Sequence, residues 1–337
     1  MAAMSESGVV VLAPNWLGDA VMALPAVADL RRHFSANRLV VAARASVSSL
    51  FTLVPGIDSI VSAEVSSIRG SGASIAVLFP NSFASAWLVK RSGVAERWGY
   101  SADLRGLILT RVIPRPRVPM HQSEYYQHLV RALGIENAPR ETALAIPPDA
   151  LRDARTLLTE RGWKPERALV VLAPGAAYGK AKQWIPTHVV QLTRDLVRGR
   201  GMTCALVGSG GDAATIRAIR SAAPADCQPS ILDLAGLTTL PVLAAVMSLA
   251  SACVSNDSGA MHLAAAAGVP TVAIFGPTNE RATAPLARAQ VTIEVLTNPV
   301  WCRPCMLREC PIDHRCMTGI EPGHVLAAID RVARAIA

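Results

Sequence analysis

Gly8–Pro14 reads GVVVLAP and Ala168–Pro174 reads ALVVLAP, so the pentapeptide VVLAP occurs twice, at Val10–Pro14 and at Val170–Pro174. Each copy closes an apolar run of strand length. A run that is apolar on both faces marks a central parallel strand covered by helices on two sides. After the first copy, Asp19–Phe34 has helical spacing, with Leu24, Val27, Ala28 and Leu30 apolar. Its last turn carries Arg31, Arg32 and His33, where cations suit the helix dipole. Outward from there the pattern predicts strands at Leu39–Ala42 and Ser74–Phe79, a helix from Ser82 towards Arg91 and another over Gln122–Leu133. After the second copy the same grammar restarts. Helices are expected over Thr187–Val197, from Asp212, over Leu240–Ser251 and from Ser258. Strands are expected at Thr203–Val207, Ile231–Leu234, Cys253–Ser255 and Thr271–Phe275. Two such blocks predict an α/β protein of two doubly wound domains. The join is expected in the Pro- and charge-rich stretch Ile146–Arg167, with domains over 1–160 and 161–337.

Composition agrees with that size. The chain has 337 residues, 51% of them apolar and 17% charged, which supplies two buried cores and excludes a disordered chain. The mean hydropathy, +0.32, raises the question of a membrane protein. The apolar run from Val9 is broken by Pro14, Asn15 and Asp19, and no uninterrupted run reaches the roughly 18 residues a spanning helix needs. The N-terminal MAAMSES lacks a basic region followed by an apolar one, so no signal peptide is expected and the protein is expected to be cytoplasmic. The net charge is +8, and only four of the 33 cationic residues are lysines: Lys90, Lys164, Lys180 and Lys182. A basic surplus favours an anionic partner, or is merely a solvated arginine-rich surface. With aromatics at 4%, stacking on single-stranded bases is disfavoured, and nucleic acid is not an expected partner.

In open α/β sheets ligands bind beyond the carboxyl ends of the strands, so the loops after strands are the informative ones. The first is Asn15-Trp16-Leu17-Gly18-Asp19. It stands where a first βα turn stands but is not G-x-G-x-x-G, which disfavours a dinucleotide. Gly18 permits a tight turn, and Asp19 either caps the helix or carries chemistry. The second, Pro174–Trp184 (PGAAYGKAKQW), places two of the rare lysines in a glycine-containing loop, where an ammonium is a good point-charge partner for phosphate. The third, Ser255–His262 (SNDSGAMH), leads into an Ala-rich helix. Ser258 and Gly259 offer backbone N–H groups at the helix N-terminus, and His262 lies one turn further on the same face. Gly276-Pro277-Thr278 closes the next strand beside them.

Asn15–Pro25 (NWLGDAVMALP), Pro174–Trp184 and Asn256–Thr278 (NDSGAMHLAAAAGVPTVAIFGPT) resemble the three signature segments of glycosyltransferase family 9, and within it the type II heptosyltransferases. The resemblance covers nearly the whole chain. It implies a GT-B fold, two Rossmann-like domains facing a central cleft, with the acceptor on the N-terminal side and the nucleotide sugar on the C-terminal side. It implies an inverting, metal-independent transfer of L-glycero-D-manno-heptose from ADP-heptose to the first heptose of the lipopolysaccharide inner core, with no cofactor required. By the same resemblance Asp19 matches the base, and Asn15, Trp16 and Gly18 lie on the acceptor side. Lys182 matches the lysine that binds the diphosphate. Asp257, Ser258, Gly259 and His262 belong to the nucleotide-sugar site, and Asp212 matches, less closely, an acid near the ribose. Lys90, Arg91, Arg97, Arg105, Arg111, Arg115, Arg117 and His121 would then face an anionic lipopolysaccharide core precursor and the cytoplasmic face of the inner membrane, in peripheral contact. The alternatives are a family member with another acceptor or heptose position, and a non-catalytic nucleotide-sugar-binding protein. Retention of both Asp19 and Lys182 favours catalysis.

Seven cysteines complete the picture. Cys204 and Cys253 fall on apolar strands and are expected in the core, with Cys227 scattered apart from the rest. Cys302, Cys305, Cys310 and Cys316 form C-x₂-C-x₄-C-x₅-C with His314 nearby. In a reducing compartment that clustering suggests a structural zinc ahead of disulfides, with free thiols as the alternative.

Overall fold

In a computed structural model, which describes residues 8–140, 142, 144–286, 288 and 290–334, the two VVLAP segments occupy central positions in two separate sheets. The chain divides into two compact units, one ending at Ala145 and the other starting at Ile146. The first unit holds β1 (Gly8–Leu12), β2 (Leu39–Ala43), β3 (Ser59–Ser62), β4 (Ala73–Leu78), β5 (Glu96–Tyr100) and β6 (Arg111–Ile113) in the order β3-β2-β1-β4-β5-β6. The second holds β7 (Leu169–Ala173), β8 (Thr203–Leu206), β9 (Ile231–Asp233), β10 (Ala252–Asn256), β11 (Thr271–Phe275) and β12 (Ile293–Thr297) in the order β12-β11-β10-β7-β8-β9. Every pairing is parallel. Counted within its own unit, the second order is the first repeated. Both are the doubly wound order in which strand succession reverses beside the first strand. The two-domain α/β architecture expected from the sequence is therefore present.

The central strands β1, β2, β7, β8, β10 and β11 are buried throughout, as the unbroken apolar runs of β1, β2 and β7 require. The edge strands β3 and β12 are only half-buried. Two expectations need correction. The helix expected over Asp19–Phe34 is two helices, Leu17–Met22 and Leu24–His33. Pro25 has no N–H to continue the first helix and instead occupies the first turn of the second. The stretch expected to join the domains contains the helix Pro148–Glu160, so the boundary lies at 145/146 and not at 160/161. Ala150, Ala154 and Leu158, spaced by four, form its buried face, and it packs against the helix Leu240–Ser248 of the second unit.

One buried cation organises the carboxyl end of the first sheet. Arg105 is wholly buried. Its Nε donates to Tyr100 O at 2.8 Å, Nη1 to Pro80 O and to Ser85 Oγ (3.2 Å), and Nη2 to Asn81 Oδ1 at 3.2 Å. Burial pulls the guanidinium down to about 10, which leaves it charged at neutral pH. A Cβ on Gly99 would lie 3.1 Å from Nη2, so glycine there leaves room for the side chain. Arg105→Met should remove the donors from several buried acceptors at once and destabilise the protein by about 2–4 kcal/mol in urea unfolding, while Gly99→Ala should cost less. Equal unfolding midpoints for Arg105→Met and the parent would refute the assignment.

Candidate functional site

In each sheet the reversal point opens a crevice beyond the carboxyl ends of two adjacent strands, β1 and β4 in the first unit and β7 and β10 in the second. In the second unit the loops leaving β7 and β10 are the lysine loop and the SNDSG loop. They meet. Asn256, buried at the end of β10, donates from Nδ2 to Pro174 O at 2.6 Å and accepts at Oδ1 from Trp184 N at 3.1 Å, so it clamps both ends of the lysine loop. The next residue, Asp257, accepts from Lys182 Nζ at 2.6 Å through Oδ2. Thr278 Oγ1, from the loop after β11, donates to the same oxygen at 2.6 Å. Both members of the ion pair are largely withdrawn from water. Such a pair is held only where geometry and further hydrogen bonds offset desolvation. Here the Thr278 hydroxyl and the face of Tyr178, 4.8 Å from the ammonium, supply them.

Ser258 caps the eight-residue helix Gly259–Ala266, accepting from Ala260 N, and its Oγ lies 3.2 Å from Ser255 Oγ. Gly259 is the first residue of that helix, where N–H groups have no intrahelical acceptor. His262 is buried one turn on. Asp212 stands against the start of the lysine loop. Its Oδ2 accepts from Ser209 N (2.8 Å) and Ser209 Oγ (2.7 Å) in a capping box. A Cβ on Gly175 would lie 2.5 Å from Asp212 Oδ1, so the lysine loop runs directly against this carboxylate. The structure brings Lys182 and Asp257 into contact, with Ser258 and Gly259 next in the chain, His262 buried one turn further along the same helix and Asp212 against the start of the lysine loop.

The Cys-rich segment braces the same loops. Tyr178 OH donates to Met306 O (2.8 Å), Ala181 N to Arg308 O (2.9 Å), and His314 Nε2 lies 2.7 Å from Ala181 O. Gly179 is glycine because a Cβ would fall 2.4 Å from Arg308 O. Arg303 bonds Gly276 O, Thr278 O (3.1 Å) and Glu280 Oε2 (2.9 Å), which fixes the loop that delivers Thr278. Arg303, Arg308 and His314 were not legible as site residues, since each reaches the loops from far along the chain; Tyr178 belongs to the lysine loop itself, but its contact with Met306 spans 128 residues.

The zinc weighed against free thiols from the cysteine spacing gains no support here. Among the described residues, no group of three or more His, Cys, Asp or Glu side chains is placed to hold a metal ion. Cys316 is buried in the second core, its thiol pushed up chiefly by that burial, while Cys305 is exposed and His314 is engaged with Ala181. Cys204 and Cys253 are core residues as expected, and burial pushes the Cys253 thiol up to about 12.

In the first unit, Asp19 is the third residue of the helix Leu17–Met22, whose cap is Trp16, so the N-cap reading of Asp19 does not hold. Asn15 and Trp16 are exposed beyond β1, and Gly18 sits between them and Asp19 in the first turn. Tyr126 OH reaches Asp19 Oδ1 at 3.4 Å across 107 residues of sequence, a partner no local signal reveals. Burial first, and the Asp19 carboxylate second, push the Tyr126 phenol well above its ordinary value. The arginine-rich surface also needs correction. Arg105 is interior, and Arg97 donates to Ile108 O, Val94 O and Ala95 O. Arg111 lies on Trp98 and Lys90 on Trp87, while His121 caps the helix Gln122–Ala132. Arg91, Arg115 and Arg117 are exposed, and Lys90 and Arg111 stay exposed beside their rings.

Residues 32–315 match the family described as glycosyltransferase family 9 (heptosyltransferase). The chain belongs to that family. The match begins beyond Asp19 and includes the Lys182 and Asp257 loops. Lipopolysaccharide heptosyltransferase 2 of Escherichia coli K12 is 27% identical over 313 residues, 86% of this chain and 88% of the relative. The solved structure of E. coli ADP-heptose lps heptosyltransferase II superimposes with a TM-score of 0.84 at 24% identity, covering 97% of this chain and 98% of that one. E. coli heptosyltransferase WaaC with ADP gives 0.69 at 17% identity, covering 98% and 99%. The chain is an enzyme of this heptosyltransferase family with the same fold as those structures.

Gly179→Ala should force the brace away from the lysine loop and destabilise the protein by about 1–3 kcal/mol, because the obstructing atom is backbone and cannot swing aside. Urea unfolding checks this, and Gly199→Ala, where a Cβ meets nothing within 4 Å, is the control. A second expectation concerns pH. The folded state holds the Tyr126 proton more tightly than the unfolded chain does, so this group's contribution is intact below its ordinary value of 10.0 and is lost as pH rises above it. Tyr126→Phe should therefore lose melting temperature less steeply than the parent above pH 10.0. Parallel curves would exclude that source.

Proposed function

We propose that the enzyme transfers L-glycero-D-manno-heptose from ADP-heptose to the first heptose of the lipopolysaccharide inner core, with inversion and without a metal. The observation that carries this reading is the Lys182–Asp257–Thr278 cluster at the second unit's reversal point, beside the N-terminus of Gly259–Ala266. A leaving diphosphate needs positive charge that is already in place when the bond breaks. Lys182, with N–H donors beyond the one directed at Asp257, and the amides opening the helix supply it where another transferase would use a divalent cation. Asp257 and Thr278 fix the ammonium in position, so little reorganisation accompanies charge development. Relatives named as lipopolysaccharide or lipooligosaccharide heptosyltransferase 2 support the choice of donor and acceptor.

In this mechanism Asp19 accepts the proton of the acceptor hydroxyl. The oxygen forms its bond to the anomeric carbon as the bond from that carbon to the phosphate oxygen breaks, and ADP departs with the electron pair. Attack opposite the leaving group inverts the centre. Asp19 stands in the first turn of a helix, which favours the carboxylate form and so moderates its basicity, and Tyr126 orients it. Asp212 lies on the ribose side and His262 beneath the nucleotide, while Asn15, Trp16 and Gly18 line the acceptor side. The acceptor is an anionic glycolipid, and the enzyme works at the cytoplasmic face of the inner membrane in peripheral contact with it.

The test is release of ADP and transfer of heptose to truncated core acceptors. Asp19→Ala should lower kcat by about 10²–10⁴. Lys182→Ala should lower kcat by about 10² or more, and a chelator should leave the rate unchanged. Parent-like transfer by Asp19→Ala would overturn its role. Failure of every acceptor to release ADP would overturn the donor assignment.

A further inference from the structure

Among the described residues no helix is long and apolar enough to cross a membrane, yet the first unit exposes an apolar patch. Leu104 and Leu107 are 88% and 95% exposed. They flank Arg105, whose side chain is wholly buried and hydrogen-bonded to Pro80, Asn81, Ser85 and Tyr100. The buried arginine therefore anchors the turn from inside while the leucines on either side point into water. The adjacent helix Phe83–Arg91 buries Ser85, Ala86 and Val89 and turns Phe83 and Trp87 outward, at 44% and 46% exposure. These two rings stack at 6.3 Å, and Lys90 Nζ lies 5.6 Å from the Trp87 ring. The two elements form one surface, because Asp103 Oδ2 accepts from Phe83 N at 2.8 Å and the turn packs on the helix. A Cβ on Gly106 would reach Val112, 42% exposed on edge strand β6, at 3.9 Å, which extends the patch. At the far end of the helix Arg69 Nη2 donates to Arg91 O at 2.8 Å, so Lys90, Arg91 and Arg69 make a cationic margin.

We infer that this surface docks the enzyme on an anionic lipid bilayer: Leu104 and Leu107 enter the acyl boundary, Phe83 and Trp87 lie at headgroup depth, and Lys90, Arg91 and Arg69 meet lipid phosphates. Contiguous exposed apolar side chains rimmed by cations are uncommon on monomeric soluble proteins and complement an anionic interface. Trp at that depth keeps its ring half in each medium, and lysine extends its stem to hold the charge in the headgroups. The one acid within the patch, Asp103, is tied to the Phe83 amide. The inference rests on the proposed glycolipid acceptor for its purpose but not for its test.

The full chain is to be sedimented with vesicles of phosphatidylcholine alone and with vesicles in which roughly a third of the lipid is phosphatidylglycerol. Binding to the anionic vesicles should exceed binding to the neutral ones by tenfold or more, and fall as salt screens the headgroups. Leu104→Asp with Leu107→Asp should abolish it, and Lys90→Glu should weaken it by about fivefold or more. The two leucine changes should leave the melting temperature and transfer to a soluble, delipidated acceptor unchanged, because these side chains face solvent. Vesicle binding by the leucine variant equal to the parent's would overturn the inference. So would dimers of the parent in velocity sedimentation that the leucine variant dissolves, which would make the patch a self-association surface. Heptose transfer to the soluble acceptor by a parent that binds no vesicles would overturn the docking surface and leave the proposed reaction standing.

Discussion

An ammonium and a carboxylate 2.6 Å apart, both mostly out of water, set the terms for the second unit. Burying two charges costs more than their attraction returns unless every neighbouring group is in place. Around Lys182 and Asp257 those neighbours come from the loops after β7, β10 and β11, and each loop is fixed in turn by a buried hydrogen bond of its own. Asn256 holds the lysine loop at Pro174 and Trp184, and Arg303 holds the Thr278 loop at Gly276 and Thr278. The consequence is a cation whose position does not depend on a ligand. That is the property a site for a departing diphosphate needs, since positive charge already in place requires no reorganisation during the reaction.

The Cys-rich segment takes its meaning from the same constraint. Read as spacing, it suggests a metal. In the folded chain its cysteines range from the exposed Cys305 to the buried Cys316, while its non-cysteine residues do the bracing: Arg303, Met306, Arg308 and His314 all bond to the loops that carry Lys182 and Thr278. Most of these bonds join a side chain to a backbone carbonyl, and at Gly179 and Ala181 the two backbones meet directly. The brace is therefore sensitive to close-approach glycines such as Gly179 and indifferent to thiol identity at the exposed Cys305.

The central architecture was legible because strands buried on both faces are mostly apolar, and β1, β7 and β11 are. The strands that escaped notice, β3 (SIVS), β5 (ERWGY), β6 (RVI) and β12 (IEVLT), are short or partly exposed, and a half-wet strand carries too little hydrophobic pattern to stand out. The helix Pro148–Glu160 was hidden by Pro147 and Pro148, which suggest a linker but are also compatible with a helix start. Of the site, Lys182, Asp257, Ser258 and Gly259 could be found from loop position and residue rarity. Tyr126 and His314 could not, because their contacts with Asp19 and Ala181 span 107 and 133 residues and depend on packing alone.

The formal charge of +8 divides on this basis into cations with different work. Arg105 is interior framework, Arg97 and Arg303 satisfy backbone carbonyls, Arg198, Arg200, Arg315 and Arg331 pair with surface carboxylates, and Lys182 serves the crevice. A sum over the sequence counts these as equal, although a cation already bonded to carbonyls or carboxylates offers an external anion little without first giving up those partners. Of the exposed cations on the first unit, Lys90, Arg91 and Arg69 stand beside exposed leucines and aromatic rings. An anionic partner without an apolar phase would meet only half of that surface. A partner that is anionic at its boundary and apolar beneath it would meet all of it, and the buried Arg105 makes the two halves inseparable, since the same side chain that secures the sheet's carboxyl end also holds Leu104 and Leu107 outward.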